Sequence, residues 1–132
     1  MTDFVEARRQ LVEWAQPYLT TTGIPVYWEN RGSPQLDQVK PMFIHVDIDF
    51  TGGALETMDG ASDHSGLMVF DIFTREGEGV VKELEIVEIL ITVVANRSTG
   101  ELATGAMDPG IKTVRNGWRK TEWFIPFRFI RM

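Results

Sequence analysis

The sequence predicts an α+β fold: a single mostly antiparallel or mixed β-sheet packed against an N-terminal helix and a long central helix. Three observations predict it. Residues 42–50, "MFIHVDIDF", alternate apolar and polar side chains, and 67–74, "LMVFDIFT", follow as a second strong strand, so the two make an antiparallel hairpin. Residues 79–96 and 3–16 instead place apolar residues three and four apart. Runs of strands set beside separate helices are the pattern of α+β rather than of alternating α/β units. At 132 residues the chain is one domain, spanning 1–132, long enough to bury a single good core.

The elements follow in order. Asp3 caps a helix over 3–16, with Glu6 three positions on as in a capping box, and Pro17 should end or kink it. "IPVYWEN" (24–30) is a short aromatic strand, and "RGSPQLDQVKP" (31–41) is a loop by its Gly, Ser and Pro content. In 42–50, Met42, Ile44, Val46, Ile48 and Phe50 face the core, while Phe43, His45, Asp47 and Asp49 face outward. "TGGALETMDGASDHSG" (51–66) is a long polar loop, expected to be mobile or functional over about 51–65. In 79–96, Val80, Leu84, Val87, Ile91 and Val94 form a stripe that Ile86, Ile89, Leu90 and Val93 widen. A helix apolar over so much of its circumference must be covered on two sides, by its own sheet and by the first helix or a neighbouring subunit. The segment 97–112 is turn-rich, with room for a short strand. Residues 122–132 form a last strand with Trp123, Ile125, Phe127 and Phe129 on one face, and Pro126 suits an edge or a bulge.

Composition narrows the function. There is no cysteine, which removes disulfides, thiolate metal sites and thiol nucleophiles. The N-terminal "MTDFVEARRQ" is too charged for a signal peptide, and the longest apolar run, "IVEILITVVA", contains Glu88 and is too short to span a bilayer; a soluble protein used without export is expected. A net charge of −6 argues against a dedicated nucleic-acid binder. The charge is also divided. From Pro41 to Thr74 there are six acids (Asp47, Asp49, Glu56, Asp59, Asp63, Asp71) and no Lys or Arg. From Lys112 to Arg131 there are six cations (Lys112, Arg115, Arg119, Lys120, Arg128, Arg131) against Glu122 alone. Such a split describes either two solvated surfaces or acid of one subunit meeting base of the next.

Candidate chemistry is sparse. "FDIFTREGEGVVKELE" (70–85) has the strand, G-x-G turn and helix of a phosphate cradle, but a dinucleotide fingerprint needs a third glycine where Lys82 stands. Glu76 and Glu78 would repel phosphate, and acids suit the start of the helix that follows. The turn is structural. Asp47 and Asp49 share a strand face with His45, separated by about 7 Å of strand rise. The pair is the candidate for a divalent cation, and the trio for a small carboxylate-metal hydrolase. No further catalytic partner is identifiable; His64 falls in the polar loop, and no nucleophile elbow is present. The C-terminal cations alternate with Trp118, Trp123 and Phe124, a single-strand-binder composition that also fits a core strand protected by charge.

The order of segments resembles the tail terminator (minor tail) proteins of long-tailed bacteriophages and related prophages. The residues carrying the resemblance are "PVYWEN" after the first helix and the unit from Gly66 to Leu90, in which a strand, a glycine turn and a long helix follow the hairpin. It covers nearly the whole chain. The resemblance implies a structural protein rather than an enzyme, with no cofactor. It implies a homo-oligomer, a hexameric ring at the head-proximal end of the tail tube. That ring ends tube polymerisation and contacts the tail tube protein and head-connector proteins. Phage DNA would pass through the lumen without sequence-specific binding, and no membrane is involved. The location implied is the virion tail, with assembly in the host cytoplasm. Trp28, Glu29, Asn30, Gly66, Gly77 and Gly79 are then fold-specifying, and Asp47, Asp49, Glu56, Asp59, Asp63, Arg115, Arg119, Lys120 and Arg128 are the interface or lumen candidates. The alternative is another head–tail connector or tail-completion protein of similar fold.

Overall fold

A computed structural model describes residues 2–28, 42–52, 61–75 and 79–131. The described elements run α1 (Phe4–Thr20), β1 (Val26–Trp28), β2 (Met42–Gly52), β3 (Ser62–Arg75), α2 (Val80–Val93), β4 (Leu102–Thr104), β5 (Asp108–Arg115) and β6 (Trp118–Arg131). The strands make one sheet in the order β1-β2-β3-β6-β4, with β5 also paired to β6. β1 is parallel to β2 and every other pairing is antiparallel, so the sheet is mixed and the fold is α+β.

Both helices lie on one face of the sheet. Ile44, Val46 and Ile48 of β2, Met68, Phe70 and Ile72 of β3, and Ile125, Phe127 and Phe129 of β6 point toward them. They meet Ala7, Leu11, Trp14, Ala15 and Leu19 of α1 and Ile86, Val87 and Leu90 of α2. The period-2 pattern thus becomes a continuous apolar floor, each large side chain contributing about 1.5–3 kcal/mol when sealed from water. Phe50 is the exception: it stays partly exposed at the rim, edge-on to Phe4, Phe127 and Phe129.

Several boundaries differ from expectation for local reasons. α1 runs through Pro17 to Thr20 instead of stopping before it. Leu19 is sealed in the core, and the hydroxyls of Thr21 and Thr22 donate to the Tyr18 and Leu19 carbonyls at 2.6 Å each, occupying acceptors the helix end leaves open. Asp3 does cap, its carboxylate accepting the Glu6 N–H at 2.8 Å, but Glu6 turns its own carboxylate to Arg9 and Gln10 rather than closing the box. That pairing holds the Glu6 carboxyl down at about 2.

The expected 51–66 loop is shorter than its composition suggests, because β2 continues to Gly52 and β3 begins at Ser62. Glu56 and Asp59 lie outside the described residues, as do Glu29, Asn30 and Gly77. α2 ends at Val93, before the expected 96, and Asn96 takes a left-handed φ of 52° that no longer continues a helix. Pro126 is on neither an edge nor a bulge: β6 has partners on both sides. Its carbonyl accepts the Gly105 N–H at 2.8 Å, so its missing donor faces the same way, into the break between β4 and β5.

Two glycines are required where they stand. Gly79 starts α2 at φ 82°, and a Cβ there would come within 2.8 Å of Thr74 Cγ2. Gly66 sits inside β3 between Phe50 and Phe127, where a Cβ would lie 2.2 Å from the Asp49 carbonyl oxygen. Trp28, the third described fold-specifying residue, is buried in the main core.

Candidate assembly surfaces

The face of the sheet opposite the helices is shaped by strand register. At one end Phe43, Phe73 and Trp118 converge with Tyr27, Phe43 and Phe73 stacking at 4.3 Å, and the Arg75 guanidinium lies 4.2 Å from the Trp118 ring centre. Phe43 is therefore buried, although alternation assigns it to the outward face. Beyond it, register aligns His45 with Asp71 and Asp71 with Glu122, flanked by Asp47 on β2 and Lys120 on β6. Lys120 Nζ is 3.9 Å from Asp71 Oδ2, and His45 Nδ1 is 3.6 Å from Asp47 Oδ2. Burial pushes the Asp71 carboxyl above the usual range; Lys120 and His45 oppose that, while Glu122 and Asp47 add to it.

Among the described residues no group of three or more His, Asp or Glu side chains is placed to hold a metal ion. Asp47 and Asp49 share the open face, as the alternation predicts, but Asp49 stands one row further out opposite Leu67 and Asp47 opposite Val69. Nor do the C-terminal tryptophans offer stacking platforms for bases. Trp118 is buried and Trp123 packs against the helix-side core.

The divided charges are brought together within one sheet, because β3 and β6 are neighbours. Lys120 meets Asp71 on the open face. Arg119 points the other way, to the buried Glu83 of α2, with Nη2 3.4 Å from Oε1. Periodicity does not single out Glu83, yet it faces the sheet and is the acid that receives Arg119. Arg115, Arg128 and Asp63 remain exposed, Arg115 at the end of β5, Arg128 opposite Ser65 and Asp63 opposite Ile130.

The largest departure from a finished surface is on α2. Its sheet side is Glu83, Ile86, Val87 and Leu90, rotated from the expected stripe. Of that stripe Val87 and Val94 are buried, whereas Val80, Leu84 and Ile91, with neighbouring Val81, stay 40–72% exposed. The β5–β6 hairpin is the second open element. Every residue of β5 except Gly110 is exposed, including Ile111 at 70% and Val114 at 56%. Its turn is Asn116-Gly117, both with positive φ (54° and 78°), the geometry of a two-residue hairpin turn. The expected last strand over 122–132 omits this hairpin, although an Asn-Gly pair between strand-forming flanks is its direct sequence signal. No helix among the described residues is long and apolar enough to cross a membrane.

No family model matches the chain, and no curated protein matches it. A solved structure resembles it over 94% of this chain and 96% of its own, with a TM-score of 0.58 at 13% identity. That likeness extends over the whole domain and establishes the fold alone.

Proposed function

We propose that this chain is a structural assembly protein of the tail-terminator kind, a ring-forming subunit at the head-proximal end of a phage or prophage tail tube. The ring ends tube growth and presents the surface that receives the head. The observation that carries the reading is the apolar flank of α2. Val80, Val81, Leu84 and Ile91 remain exposed on a helix whose other side already seals the core. Soluble chains keep such stripes chiefly where another protein covers them. The open sheet face supports the same reading: its outward carboxylates, Asp47 and Asp49, would border a lumen that repels phosphate, so DNA slides instead of sticking.

The test is genetic and visual. Phage particles assembled without this chain should carry overlong tubes and unjoined heads, and gold-labelled antibody should mark the head-proximal end of normal tails. Tubes of normal length joined to heads in its absence would rule the role out. Label at the head alone would move the protein to a connector position.

A further inference from the structure

We infer that the α2 flank of one copy receives the β5–β6 hairpin of a second copy, so that the subunits associate through two different surfaces. The inference rests on reading the α2 flank as an assembly surface, and not on where in a particle the assembly sits.

The two surfaces match in both chemistries. The flank presents Val80, Val81, Leu84 and Ile91, with Glu88 four residues after Leu84 and three before Ile91, hence on the same side of the helix. Of the acids over residues 80–96, Glu83 is buried against Arg119 and Glu85 lies 3.7 Å from Lys82, which leaves Glu88 as the flank's acid. On the hairpin, strand alternation puts exposed Val114 and Lys112 on one face and Arg115 on the other, and no acid occurs between Asp108 and Glu122. One surface is apolar and acidic, the other apolar and basic. Both are exposed in the same chain, so neither covers the other within the subunit. Among the described residues β5 pairs only with β6, which leaves its outer edge open to an incoming element. Matching of unlike patches is head-to-tail association, which closes into a ring or continues as a filament according to the rotation between copies.

Absence of cysteine makes a direct test simple. Two full-length variants, Leu84→Cys and Val114→Cys, are mixed in equal amounts and mildly oxidised. Both positions are exposed, so neither change threatens the fold. The hybrid 84–114 disulfide should exceed the statistical share and outrun both homodimers. Adding Lys112→Glu to the Val114→Cys chain should lower the hybrid yield about fivefold, the scale of reversing a surface ion pair, and Glu88→Arg on the Leu84→Cys chain should restore it. A statistical mixture of disulfides, or a yield indifferent to Lys112→Glu, overturns the inference. The outcome is separable from the tail role. A hybrid disulfide alongside normal tails in the null phage leaves the contact standing and removes the role; overlong tubes without the hybrid do the reverse.

Discussion

Gly66→Ala should be among the costliest single-methyl additions this chain can suffer. Gly66 lies in the interior of β3, flanked by Phe50 on β2 and Phe127 on β6. The added Cβ would stand 2.2 Å from the Asp49 carbonyl oxygen and 2.5 Å from Phe127 Cζ. A carbon ordinarily stays about 3.3 Å or more from a carbonyl oxygen, so β2 or β3 must move by roughly 1 Å. Phe127 can turn, but Asp49 contributes backbone to the β2–β3 ladder and cannot yield alone. Overpacking costs about 1–3 kcal/mol, and a backbone obstacle places this case near 3 kcal/mol. For a domain of this size that lowers the melting temperature by about 10 °C. Gly117→Ala is the control: nothing lies within 4 Å of its Cβ, and its φ of 78° costs about 1 kcal/mol. Thermal and urea unfolding of both variants read the difference. A Gly66→Ala protein as stable as the Gly117→Ala protein would refute the close-approach argument.

Three further outcomes follow from named contacts. Arg119→Met strands the buried Glu83 carboxylate and should cost about 3 kcal/mol, whereas Arg119→Met with Glu83→Leu should return to within about 1 kcal/mol of the parent by urea denaturation. A single variant no worse than the double would deny the pair its role. Because burial raises the Asp71 carboxyl, ionisation disfavours the fold; that penalty is complete above the folded pKa and is relieved as pH falls through it toward the unfolded value. Asp71→Asn should therefore gain most on the parent near neutral pH and lose that advantage toward pH about 4, and a gain that grows with acid would contradict the sign. Leu84→Arg, on the exposed flank, should change unfolding stability by less than about 0.5 kcal/mol while abolishing self-association by sedimentation velocity; association unchanged would free the flank of any role.

Periodicity made the helix-side core legible. The alternation of Met42, Ile44, Val46 and Ile48, and of Ile125, Phe127 and Phe129, names the side chains that meet the helices. What alternation does not contain is pairing register. Phe43 is buried because register and the aromatic contacts bring Phe73, Trp118 and Tyr27 beside it, from strands far apart in sequence. The same holds on α2: a helix apolar on most sides does not reveal which side meets the sheet. The face is set by partners such as Arg119, which draws Glu83 inward and leaves Leu84 out. Asn116-Gly117, by contrast, is a local signal present in the sequence from the start. The candidate surfaces were legible as a division of charge, but their positions depended on β3 and β6 becoming neighbours. That adjacency lets Lys120 and Asp71 close within one subunit and leaves Arg115 on the protruding hairpin.

The central claim, a subunit that assembles on a tail tube, is tested most directly by native mass spectrometry of the full chain, alone and after addition to purified tail tubes. The account predicts a closed multiple of the subunit, six copies as the resemblance implies, formed alone or on the tube end. A monomer under both conditions would contradict it.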